Sequence, residues 1–166
     1  MAVRPIRFFG DPVLRSPTDP VEVGSDTARL LVDDLLDTVR EPGRAGVAAN
    51  QIGVGLRAFS YNIDGDIGYL LNPTLVEVSG DPAPVDEGCL SVPGLSFPRL
   101  RYPRATARGY LLDGTEVTVS GTGLMAQALQ HEIDHLNGAL YIEGLDPEVK
   151  REALRQIRSS SWFRQV

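Results

Sequence analysis

Between Arg29 and Arg40 the apolar residues Leu31, Leu35 and Val39, flanked by Val32 and Leu36, recur every three or four positions. That spacing predicts an amphipathic helix, with Ser25 or Asp26 as its N-cap. Glu41-Pro42-Gly43 then ends it, because proline and glycine both break helices. Residues 56–120 change rhythm. Short runs such as Leu70-Leu71, Leu75-Val76-Glu77-Val78 and Glu116-Val117-Thr118-Val119 are separated by Asp-Gly, Asn-Pro and Ser-Gly pairs. These are strands joined by hairpins. Thr122 is placed to cap a second helix running through Leu124, Met125, Ala128, Leu129 and Ile133 to Asn137, with Gly138 as C-cap. This helix is apolar almost all round until its last turns, so it is expected inside a core with sheet on more than one side. Asp146-Pro147-Glu148 opens a third helix in the order cap, then proline. The order helix, strands, helix, helix predicts an α+β fold, with antiparallel β-sheets packed around a central buried helix and a further helix at the C-terminal end.

At 166 residues the chain has the length of one domain, with residues 147–166 read as a C-terminal helix of the same domain as 1–146. Folding a chain of this size buries roughly 70% of its unfolded surface, enough to hold a rigid site. The first residues contain no apolar run of signal-peptide length, and no segment approaches the roughly 20 apolar residues of a membrane span. A cytoplasmic protein with no membrane contact is expected. The net charge of -6 argues against a general nucleic-acid binder, and no specific DNA partner is expected. The charge is uneven, however. Lys150, Arg151, Arg155, Arg158 and Arg164 against Glu152 give the segment from 150 onward a net +4, leaving -10 for the rest.

The chain has two histidines, four residues apart in His131-Glu132-Ile133-Asp134-His135, on the second predicted helix. Positions i and i+4 share a helix face, so both imidazoles can hold one metal ion, with Glu132 placed to take a proton from water on that ion. Two hydrogen-bonded core histidines are the bland alternative. A chance His-Glu-x-x-His in a chain this long has odds on the order of 1 in 200, which favours the metallohydrolase. The third ligand is open. A third histidine six residues on is excluded, since Tyr141 stands there. Glu143, Glu148 and Glu152 are candidates, as in zinc endopeptidases. So is Cys89, the chain's single cysteine, which would leave a fourth tetrahedral position for water.

Glu87-Gly88-Cys89-Leu90-Ser91 and Gln130-His131-Glu132-Ile133-Asp134-His135-Leu136 resemble the second and third signature motifs of peptide deformylases, and Gly46-Val47-Ala48-Ala49-Asn50-Gln51 resembles most of the first. With Gly10-Asp11-Pro12-Val13-Leu14-Arg15, similar to the family's N-terminal segment, the resemblance covers residues 5–145. It implies removal of the formyl group from the N-terminal methionine of new proteins, giving formate and a free amine. Cys89, His131 and His135 would be the metal ligands and Glu132 the proton carrier. The Gln51 amide and the Leu90 N–H would stabilise negative charge on the formyl oxygen. Gly46 and Gly88 would let the peptide backbone approach. One divalent ion is implied, ferrous iron in physiological conditions, though the donor set also suits zinc, nickel or cobalt. Asp134 reads as a support of this centre or as an exposed carboxylate, and Val47, Leu124 and Ala128 as candidate walls of a methionine pocket. Some family members carry a C-terminal helix that meets the ribosome, so the basic tail suggests ribosome contact; deleting 149–166 is then expected to spare hydrolysis of a small peptide. The departure is Arg44, where the first motif begins with glycine. Its removal is expected to change peptide affinity more than turnover.

Overall fold

Ser25 accepts a hydrogen bond from Ala28 N and so starts the helix α1 (Asp26–Val39) where the pattern puts it. The structure, a computed structural model, describes residues 2–163. Seven strands follow: β1 (Gly46–Ala48), β2 (Ala58–Ile63), β3 (Asp66–Ser79), β4 (Ala83–Cys89), β5 (Val92–Arg101), β6 (Arg104–Tyr110) and β7 (Glu116–Thr122). They form an antiparallel sheet of order β1-β2-β3-β6-β7 and a separate β4-β5 hairpin. The helix α2 (Gly123–Leu136) carries both histidines, and α3 (Pro147–Ser159) closes the fold with Pro147 in its first turn. Thr122 stands at the N-cap of α2 but its side chain makes no capping bond. Gly138 ends that helix with φ +85°; a Cβ there would meet the Arg15 carbonyl at 2.9 Å, so any other residue would be strained and crowded.

Strand alternation divides the core. Ala48, Phe59 and Leu70 face α2 and pack on Leu129, Ile133 and Leu136, whereas Val47, Ala58 and Leu71 face Leu31, Val32 and Leu35 of α1. The large sheet thus lies between α1 and α2. A third cluster lies behind the hairpin, where Val92 and Phe97 of β5 meet Leu14, Tyr141, and Ala153 and Ile157 of α3. The α+β architecture with α2 at its centre is the one expected. No helix of the described residues is long and apolar enough to cross a membrane.

The C-terminal segment corrects one expectation. Besides Ala153 and Ile157, Trp162 and Phe163 pack against this third cluster, and Trp162 Nε1 donates to the Pro93 carbonyl at 3.1 Å. Deleting 149–166 would therefore uncover core and loosen the hairpin that carries Cys89, rather than spare the site. Arg164, counted in the basic tail, lies outside the described residues.

Candidate metal centre

The Nε2 atoms of His131 and His135 lie 3.1 Å apart, and Cys89 Sγ, at the end of β4, lies 3.2 Å from His135 Nε2. All three donor atoms fall within 4.8 Å of one another. Tetrahedral bonds of ordinary zinc-site length put donor atoms about 3.4 Å apart, so this trio has the right spread for one ion. The glutamates left open by the sequence lie elsewhere. Glu143 is exposed and 3.8 Å from Arg15, Glu152 pairs with Arg155 on the outside of α3, and Glu148 is exposed. Tyr141 is buried beside His131, ring centroids 6.1 Å apart, as part of the core.

A chain of charges orients His131. Its Nδ1 is 2.7 Å from Glu87 Oε2; Glu87 accepts two bonds from Arg101, one of 2.7 Å from Nε; and Arg101 Nη1 donates to Asp134 Oδ2 at 2.8 Å. Asp134 is therefore a support of the centre rather than an exposed carboxylate. Burial alone would raise the Glu87 carboxyl, but hydrogen bonds from Arg101 and His131 hold it down at about 2. Burial lowers the His135 imidazole, and the charge of His131 lowers it further, which suits a neutral ligand. Burial also opposes charge on His131, yet Glu132, Cys89 and Glu87 together raise it.

Glu132 is 3% exposed, and burial pushes its carboxyl up to about 7 against the opposing effect of His131. Its Oε1 has no hydrogen-bond partner. A buried carboxylate oxygen left unpaired is rare, and Glu132 lines the same cavity as Cys89 and His131, so the residues present fit a cation with reacting water beside it. Gly46 explains the tight fit: a Cβ there would stand 2.6 Å from Glu132 Oε2. The glycine makes room for this carboxylate, a cause distinct from the expected approach of substrate.

Gln51 lies in a one-turn helix (Ala49–Ile52) and is 1% exposed, which excludes a solvated side chain. Its Oε1 accepts from Ala48 N at 2.9 Å, while Nε2 donates to Ser91 Oγ at 3.1 Å and points to Cys89 Sγ at 3.6 Å. The amide is thereby locked with its donor end toward the centre. The N-terminal segment ties both sides together, with Arg7 N donating to the Gln51 carbonyl at 2.7 Å and Phe9 N to the Ser91 carbonyl at 2.8 Å.

A cavity of about 560 Å³ opens over these groups. Gly46 and Gln51 line one side, Gly88, Cys89 and Leu90 the other, and Leu124, Ala128, His131 and Glu132 the floor. Leu124 and Ala128 line this cavity. Val47 does not: alternation along β1 turns it into the α1 cluster, away from Gly46 and the cavity. The sequence reading assigned no role to Glu87, Ser91, Asn50 or Arg101. Glu87 carried a signal, since it precedes Cys89 by two residues in a strand and so shares its face. Asn50 bonds the His135 carbonyl and Arg101 comes from the far end of β5; no local pattern marks either.

The polypeptide deformylase family model matches residues 3–151. A peptide deformylase of Acidothermus cellulolyticus is 49% identical over 166 residues, 100% of this chain and 92% of the relative, and one of Parafrankia sp. is 49% identical over 163 residues, 98% and 89%. Among solved structures, the peptide deformylase of Legionella pneumophila aligns with a TM-score of 0.88 at 35% identity over 95% of both chains. That of Thermus thermophilus aligns at 0.86 and 36%, over 95% of this chain and 94% of its own. Likeness of that extent in sequence and in fold makes this chain a member of the peptide deformylase family, metal-dependent hydrolases that remove the formyl group from formylated N-terminal methionine.

Proposed function

We propose that Cys89, His131 and His135 hold one divalent ion and that Glu132 carries the proton as the N-formyl amide of a new protein is hydrolysed to formate and a free amine. The observation that carries this reading is the convergence of those three donors together with the unpaired Oε1 of Glu132. A bound divalent ion supplies Lewis acidity toward the formyl oxygen and makes its water acidic near neutral pH, about 7 for zinc. Glu132 takes the proton of the attacking water and returns it to the leaving amine, one carboxylate serving as base and then as acid. The Gln51 Nε2 hydrogen not engaged by Ser91 and the Leu90 N–H donate to the formyl oxygen as charge builds on it. β1 is an edge strand of the sheet, so an extended peptide can lie along it past Gly46 and Gly88, with the methionine side chain over Leu124 and Ala128.

Ferrous iron is the ion proposed for the cell, and zinc, nickel and cobalt also suit the donor set. Metal analysis of protein purified without air, paired with formate release from formyl-Met-Ala-Ser, tests both points. Iron with rapid formate release is expected. No formate with any of the four metals overturns the reading.

Gly46→Ala is a sharper local check. The added methyl displaces the Glu132 carboxylate, and a shift of about 1 Å at a catalytic group is enough to lower kcat on the order of 100-fold. Steady-state kinetics with unchanged kcat would mean that Glu132 is not held against Gly46.

The protein is further proposed to act in the cytoplasm as one catalytic domain, residues 1–146 with the helix of 147–166 as part of it, and to meet the anionic ribosome through that basic helix. Because α3 is packed into the core, its charges are the part to vary. Reversing Lys150 and Arg151 together to glutamate is expected to weaken salt-sensitive ribosome co-sedimentation while hydrolysis of a small formyl-peptide continues. Undiminished co-sedimentation would dismiss ribosome contact by this face.

A further inference from the structure

Arg44 replaces the first motif glycine and stands between the end of α1 and the cavity. Toward α1, Nη1 donates to the Thr38 carbonyl at 2.9 Å, completing the end of a helix that has no basic residue in its last turn. The residue also lines the cavity, on the segment that leads to Gly46. Among the described residues no carboxylate comes within ion-pair distance of Arg44, and it is the one arginine or lysine among those that line the cavity. Of the acidic groups in that lining, Glu87 is neutralised by Arg101 and His131, and Glu132 sits at the reacting end. Asp86, exposed on the facing wall, acts against anions, but water screens it.

We propose that Arg44 is a specificity-determining residue, favouring formyl-peptides with an acidic side chain at one of the two positions after methionine. The inference rests on the deformylase reading and narrows its substrate class. The register follows from the chain itself. Arg44 precedes Gly46 by two residues, at most about 7 Å of chain, and Gly46 touches Glu132, so an extended peptide on the β1 edge reaches Arg44 one or two residues beyond the reacting end. The Thr38 carbonyl occupies one guanidinium N–H, leaving others for a carboxylate. The contact lies away from the bond that breaks, so it acts equally on bound substrate and transition state and is read in KM.

The alternative is that Arg44 merely finishes α1. Arg44→Met and Arg44→Lys separate the two, because methionine removes charge and hydrogen bond while lysine keeps the charge. Formate release is measured for formyl-Met-Ala-Ser and for its variants with glutamate or lysine at the second or third position. In the parent enzyme a glutamate peptide is expected to exceed alanine by about five-fold in kcat/KM, carried by KM and reduced by added salt. The lysine peptides are expected to fall below alanine. Arg44→Met should level the series and Arg44→Lys should keep most of the preference. Equal glutamate-to-lysine ratios in the parent and Arg44→Met, with formyl-Met-Ala-Ser still hydrolysed, overturn the proposal and leave the deformylase reading standing. Absence of formate from every peptide overturns both.

Discussion

Glu132→Gln is expected to lower kcat on formyl-Met-Ala-Ser by roughly 10²–10⁴-fold, the range for losing a general acid–base group, while bound metal and the melting temperature barely change. Glutamine matches glutamate in volume, and the pocket that Gly46 opens is shaped to that side chain. The ligands are three other residues, so metal content has no reason to fall. What disappears is the ability to take a proton from water and hand it to the amine. In the metal-free protein burial raises this carboxyl to about 7, far above an exposed glutamate. A stopped assay for formate with parallel metal analysis decides the matter. A loss smaller than about ten-fold would remove Glu132 from the role of proton carrier.

Arg101→Met should have the largest effect on stability. Glu87 is 1% exposed and receives two hydrogen bonds from Arg101; without the cation a buried carboxylate keeps only His131 and a 3.4 Å bond from Gln127. Breaking one side of such a pair destabilises by about 3–5 kcal/mol. Urea unfolding of the metal-free protein measures this, and chelator competition should show metal affinity lower by roughly 10–100-fold as His131 loses its fixed orientation. The double change Arg101→Met with Glu87→Gln should recover part of the stability, since it removes the orphaned charge too. If the double variant is no more stable than the single one, Glu87 is not held by Arg101. Acidity probes the same carboxyl. Its folded value of about 2 lies below the unfolded value of 4.5, so its stabilising effect is complete above about 4.5 and disappears as pH falls toward 2. In Glu87→Gln that part of the acid-induced loss should be absent.

Periodicity located the helices because each buries a stripe: Leu31, Val32, Leu35 and Val39 are all buried, and the Ser25 cap is in place. The three side chains that could hold a metal were legible for a related reason, since His131 and His135 are local neighbours on one helix and Cys89 stands in a motif of its own. What stayed hidden depends on how separate elements meet. Arg101 serves Glu87 because the hairpin folds β5 back along β4, and Ser91 orients Gln51 across 40 residues of chain. Val47 was misread because a pocket guess ignored strand alternation, which assigns neighbouring residues of β1 to different clusters. Arg44 had only a negative signature in the sequence, a missing glycine; its bond to Thr38 shows how the chain uses the added length.

The three apolar clusters meet at the centre, and each brings its own working part. The histidines ride on α2 with the first cluster, Gln51 follows Val47 and Ala49 of the second, and Cys89 touches the third. The first two clusters share the strands of one sheet, whereas the hairpin that carries Cys89 meets α2 through the hydrogen bonds of Glu87 and Arg101 to His131 and Asp134. An ion held by Cys89, His131 and His135, as proposed, would act as a rivet. Its binding energy is drawn on by the alignment of the units more than by any one of them, so stripping it with a chelator should speed amide exchange in β4 and β5 while the α1 side of the large sheet stays protected.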